Sequence, residues 1–164
     1  ATISGCKQSE VSWQVATTPD NAMSVNFPGK PKTINKSQPT VAGTIKITSL
    51  QVESKNAAYT ASSSKVPVPP SQFDAKAAVR GGIDSQKAAW PDKISERKIS
   101  KDGIDGIEFV AHNKAEGIYI VARVYCDGSI PHMYQINVVG GSRSVIEHAN
   151  TIKFLDSIEF KAKK

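Results

Sequence analysis

Apolar and polar residues alternate with period two along much of this chain, which is the spacing of half-buried strands. Trp13-Gln14-Val15 predicts a short first strand and Met23-Ser24-Val25-Asn26-Phe27 a second, with turn chemistry in Thr17-Thr18-Pro19-Asp20-Asn21 between them. Pro28-Gly29-Lys30-Pro31 ends the second strand, and the polar stretch that follows predicts a loop to Pro39. Val41 to Glu53 is long and strand-like, yet Ile45 and Ile47 share one parity and Leu50 and Val52 the other. A bulge near Thr48-Ser49 is expected to reconcile them. A turn at Lys55-Asn56 then joins this strand to Ala57–Ser64 as a hairpin anchored by Tyr59.

Lys65-Val66-Pro67-Val68-Pro69-Pro70 has too many prolines for helix or central strand and reads as a stiff connector. Ser71 is the expected N-cap of a helix over Phe73–Trp90, stopped by Pro91. Gly81-Gly82 weakens its middle by about 1 kcal/mol per glycine relative to alanine, so a kink or division is expected there. A meander follows: Ile94–Ser100, then Ile107–Ala111 after Lys101-Asp102-Gly103, then Ile118–Cys126, then Met133–Val139 after Asp127-Gly128. In Ile118–Cys126, Ile118, Ile120, Ala122, Val124 and Cys126 form one face, and Tyr119, Val121, Arg123 and Tyr125 the other, so both faces are expected to be covered. Val145, Ile146, Ala149, Ile152 and Leu155 recur at helical spacing behind a cap at Ser142 or Ser144, and Phe160 is expected to pack against the body. The pattern predicts one α+β domain over residues 13–164, a three-layer α/β/α sandwich with a mainly antiparallel central sheet.

Composition agrees with a single domain of this length. The chain has 164 residues, 39% of them apolar and 22% charged. No apolar run reaches the roughly 18 residues of a membrane span. The net charge of +6 is uneven: to Pro70 seven lysines face three acids, and from Ser71 onward fourteen basic residues face twelve acidic ones. Nucleic-acid binding calls for clustered Arg/Lys with aromatic platforms or a reading motif, and neither is visible, so no nucleic-acid partner is expected.

The start of the chain carries the localisation signal. Ile3-Ser4-Gly5-Cys6 resembles a bacterial lipobox, in which an aliphatic residue and small residues precede the cysteine that receives lipid. On that reading residues 1–12 form a tether with lipidation at Cys6, and the domain sits in the bacterial cell envelope, facing the periplasm. A frayed terminus with a free thiol, and a Cys6–Cys126 disulfide, are the alternatives.

Catalytic signatures are missing from the sequence. No GxGxxG after a strand, P-loop, HExxH or GxSxG occurs. His112, His132 and His148 have no ligand spacing, so no metal or other cofactor is expected. Asp102, Asp105 and Glu108 read as a polar hairpin rim without the ligand pattern of a calcium loop. Cys126 reads as a buried, inert thiol. Arg123, on the same strand, would need an ion-pair partner if buried.

The order of elements also resembles a known family. Ser24-Val25-Asn26-Phe27-Pro28-Gly29-Lys30-Pro31, the hairpin with Tyr59, Gly103-Ile104-Asp105-Gly106-Ile107-Glu108-Phe109, the strands Tyr119–Tyr125 and Met133–Val138, and Phe154-Leu155-Asp156-Ser157-Ile158 are similar to small bacterial envelope domains of the PsbP-like/Mog1/DcrB-like kind. The resemblance spans Trp13 to Phe160 and implies the sandwich fold. Its relatives include photosystem-associated extrinsic proteins, a Ran-binding nuclear protein and bacterial lipoproteins, and none of their functional residues has a matching motif here. Together these readings predict a monomeric, non-catalytic envelope lipoprotein domain that binds a protein partner or assembly. The alternative is a soluble small-ligand-binding protein or enzyme with a cleft between sheet and helix, lined by Tyr119, Arg123 and Tyr125.

Overall fold

The protein is described by a computed structural model over residues 11–41 and 43–161, so Cys6 and most of the expected tether lie outside the described residues. Its elements in chain order are β1 (Gln14–Thr17), β2 (Met23–Phe27), β3 (Lys32–Thr40), β4 (Gly43–Glu53), β5 (Ala57–Lys65), α1 (Ala75–Ala89), β6 (Asp92–Lys101), β7 (Ile104–Asn113), β8 (Ile118–Asp127), β9 (His132–Gly140), α2 (Ala149–Asp156) and β10 (Glu159–Phe160). Seven strands form one antiparallel sheet in the order β3-β4-β5-β9-β8-β7-β6, and β1-β2-β10 form a small second sheet.

Strand alternation separates two apolar clusters across the large sheet. Val79 and Ile83 of α1 pack on Phe109, Ala111, Ile120, Ala122, Val124 and Cys126. On the opposite face, Met23, Val25 and Phe27 of β2 and Phe154 and Leu155 of α2 pack on Leu50, Val52, Tyr59, Ala61, Val121, Tyr134, Ile136 and Val138. Strand β8 therefore has both faces covered, as its pattern predicts. Phe160 closes the second cluster, with its ring centroid 4.7 Å from Tyr134 and 5.2 Å from Tyr125.

The structure corrects five expectations. The stretch expected to loop to Pro39 is β3, an edge strand exposed at eight of nine positions. A strand with solvent on both faces has no reason to alternate, so its polar sequence hid it. No bulge interrupts β4, whose register runs unbroken against β3 and β5. Leu50 and Val52 face the core, while Ile45 and Ile47 lie half-exposed farther out on the other face, so each parity is apolar where it is needed. The bulge lies in β6 instead, between Lys93 and Ser95.

The first helix is capped by Asp74, which accepts from the Ala77 N–H at 3.0 Å, and Ser71 sits in a 3-10 turn at Pro70–Gln72. α1 does not divide at Gly81-Gly82. A Cβ at Gly82 would lie 3.1 Å from Met133 Cε and 3.2 Å from Val124 Cγ1, so its absence lets the helix settle onto the sheet. The final helix is split into a 3-10 turn, Arg143–Ile146, and α2, which His148 caps by accepting from the Asn150 N–H. Ile152 consequently faces solvent, and Thr151, Phe154 and Leu155 are the buried positions.

Candidate functional site

The register of the β7–β8 hairpin sets Glu108 opposite Arg123 on the face that carries α2. Only 12% of each side chain is exposed. Arg123 Nε donates to Glu108 Oε2 at 2.7 Å, and its Nη1 donates to Asp156 Oδ1, at the end of α2, also at 2.7 Å. Arg97 on β6, opposite Glu108, donates to Oε1 at 2.8 Å. Lys101 Nζ completes the arrangement by donating to the Asp156 carbonyl. Three strands and a helix end are thus tied together by charge-assisted bonds.

Burial alone would raise the Glu108 carboxyl, but the Arg97 and Arg123 bonds together overcome it and hold the group below its ordinary value. Arg123 shows the mirror image: burial works against its charge, and Asp156 and Glu108 more than restore it. Over this network lies an open groove of about 330 Å³, lined by Arg97, Ile99, Ser100, Lys101, Arg123, Tyr125 and Asp156.

The three candidate cleft residues do not converge. Arg123 and Tyr125 share the groove, but Tyr125 is only 2% exposed and lies beneath Phe160. Tyr119 is four residues from Arg123 along the same face, about 13 Å at strand spacing. Its ring stacks on His112 at 4.0 Å with the planes 4° apart. A second concavity, about 420 Å³, opens between the bulged start of β6 and the 3-10 turn, lined by Ile94, Ser95, Val110, Arg143, Ser144, Ile146 and Glu147. It contains none of the three.

A polar knot that the sequence reading missed joins the β1–β2 turn to the large sheet. Ser63 of β5 donates to Asp20 Oδ2, the same oxygen lies 3.6 Å from His132 Nε2, and the Ala22 N–H donates to Oδ1. Burial would raise the Asp20 carboxyl, but the bonds from Ser63, Thr18 and Ala22 and the His132 ring hold it low. The carboxylate receives the Ser63 hydroxyl itself, so the imidazole is not placed between acid and nucleophile as a triad requires. No signal in the sequence joins residues so far apart.

Cys126 is a free thiol, 2% exposed, and burial pushes it up to about 12. Glu108 belongs to the Arg123 network and not to a hairpin rim. Asp102 and Gly103 are the rim: both have positive φ, 53° and 78°, as a tight two-residue turn requires. Among the described residues no group of His, Cys, Asp and Glu is assembled that could hold a metal ion, and no helix is long and apolar enough to cross a membrane. No family model matches the chain, and no curated protein matches it.

Proposed function

We propose that this is a non-catalytic, three-layer α/β/α binding domain of the PsbP-like/Mog1/DcrB-like kind, displayed in the bacterial envelope by lipid on Cys6 and acting by contact with a protein partner. The observation that carries the reading is where the reactive side chains are spent. Arg123, the one cation of β8 and largely covered, is shared between Glu108 and Asp156. Asp20 is held by Ser63, and the Cys126 thiol is sealed under α1. Both concavities are open: the one over the Arg123 network is lined largely by groups already bonded, and the other sets Arg143 and Glu147 at the surface beside Ile94 and Ile146, which suits surface contact better than turnover. The sandwich label is supported by α1 on one face of the large sheet and α2 with the small sheet on the other.

Localisation rests on Ile3-Ser4-Gly5-Cys6. Stable attachment takes more than one acyl chain, which full bacterial lipoprotein modification supplies. The test is expression of the intact gene in a bacterial host with labelled palmitate. Label on the wild-type protein and none on Cys6→Ser is expected. Label that persists in Cys6→Ser, or an unlabelled wild-type protein in the cytosol, overturns the anchor and favours the soluble ligand-binding alternative.

A further inference from the structure

The two edges of the large sheet are finished differently. Edge strand β6 carries a bulge, and its side chains are committed: Glu96 to Arg80, Lys87 and Lys93, and Arg97 to Glu108. Bulges and charges that break regularity are how sheet edges avoid further pairing. Edge strand β3 has no bulge, and its two charges, Lys32 and Lys36, are of one sign and sit at regular positions. It is nine residues long, regular from Lys32 opposite Gln51 to Thr40 opposite Gly43, and exposed on both faces. Among the described residues no strand lies on its outer side, and Pro39, which has no N–H to give, blunts it near the tip. The β3–β4 hairpin is also an arm: the β4–β5 ladder begins at Ile47, leaving the Gly43–Lys46 end of β4 beyond it.

The charge on this arm is of one sign. No Asp or Glu occurs between Asp20 and Glu53, while Lys30, Lys32, Lys36 and Lys46 do, all of them exposed. Lys32 and Lys36 lie four residues apart and therefore project from the same face of β3.

We propose that β3 is the docking edge for an extended acidic segment of a partner protein, which adds to the large sheet as an eighth strand. Main-chain hydrogen bonds along β3 supply affinity whatever the partner's sequence, and acidic side chains set opposite Lys32 and Lys36 supply selectivity. A second copy of this chain fits poorly, because its β3 brings more lysine and no Asp or Glu to meet Lys32 and Lys36. A bilayer or a nucleic acid fits less well too, since Lys32–Glu53 contains no aromatic residue to seat at a lipid interface or to stack on bases. The inference deepens the partner-binding reading and does not depend on lipidation. If Cys6 is the anchor, the geometry suits a partner. Gly29, after β2, lies against Val52 and Asp20 lies against Ser63, so β1 starts at the Val52 end of β4 and the arm's tip is about 30 Å away.

The probe is a soluble extended peptide of alternating Glu and Val, compared with its Lys-Val counterpart, with binding read by fluorescence anisotropy and by hydrogen exchange of the β3 amides. The acidic peptide is expected to bind, to slow exchange in β3 and not in β6, and to weaken with salt. Lys32→Glu with Lys36→Glu, on an exposed edge, should weaken it by about ten-fold or more and reverse the preference between the peptides, with the circular dichroism spectrum unchanged. Absence of binding, protection at β6, or equal binding by the doubly reversed variant overturns the proposal. So does a wild-type protein that ignores the peptide yet sediments with phosphatidylglycerol vesicles or elutes as a dimer, either of which would identify a different occupant. Because the palmitate label does not depend on β3, failure here leaves the anchor standing and removes only the edge.

Discussion

Replacing Arg123 with Met tests whether this residue is a structural tie or a ligand clamp. The side chain is 12% exposed and makes 2.7 Å bonds to both Glu108 and Asp156. Breaking a buried ion pair by removing one partner costs about 3–5 kcal/mol when the survivor is left uncompensated. Glu108 keeps Arg97 at 2.8 Å, and Asp156, 60% exposed, can rehydrate. The expected loss is therefore smaller, about 2–3 kcal/mol at neutral pH, or roughly 1–2 M in the urea midpoint. A second substitution, Glu108→Leu, added to Arg123→Met should recover part of it by removing a largely covered carboxylate that has lost one of its two partners.

The pH dependence adds a further check. Folding holds Glu108 below its ordinary value of 4.5, so its ion pairs contribute fully above that value and are lost as pH falls through the folded one. The gap between wild type and Arg123→Met, measured by urea unfolding with circular dichroism, should narrow as pH falls below that ordinary value. A variant within about 0.5 kcal/mol of wild type, or a gap that does not change with pH, would refute the tie and return Arg123 to the role of a candidate cleft residue.

Three further outcomes are expected. Cys126 in a Cys6→Ser background should resist a maleimide at neutral pH and react once the protein is unfolded, because burial pushes its thiol up to about 12; fast labelling of the native protein would contradict its place under α1. Asp74→Ala should cost about 1 kcal/mol in thermal or urea unfolding while Ser71→Ala costs little, and the reverse order would restore Ser71 as the cap. Phe154→Ala should cost about 3–5 kcal/mol, since the ring is fully buried with centroids 5.1 Å from Phe27 and 5.2 Å from Tyr59; a loss under about 1 kcal/mol would mean that α2 is not seated on this face.

What the sequence revealed, and what it hid, follows from burial. β8 was legible because both of its faces are buried and each carries its own apolar set, and the β6–β9 meander because its turns have the residues that tight turns need. β3 was not, because an exposed edge strand is under no pressure to alternate. The supposed bulge at Thr48-Ser49 came from reading a change of parity as a defect, when β4 passes from a half-exposed arm into the core. The final helix looked continuous because Val145 and Ile146 continue the spacing of Ala149 and Leu155, yet Ser142 and His148 each cap a separate turn.

At the candidate site, the need of Arg123 for a partner was legible and the partner was not. It could have been found by counting back from the Asn113–Ile118 turn, since in an antiparallel hairpin that pairing fixes Glu108 opposite Arg123. Asp156 and the Asp20–Ser63–His132 knot could not, because they depend on how α2 and the β1–β2 turn dock on the sheet.

The measurement that bears most directly on the proposed function is the mass of the N-terminal peptide, taken from protein extracted from membranes of cells expressing the intact gene. The account predicts a mature chain that begins at Cys6 and carries a diacylglyceryl thioether, with the following Lys7-Gln8-Ser9-Glu10 unmodified. An unmodified Cys6 within a longer peptide, recovered from the soluble fraction, would contradict it.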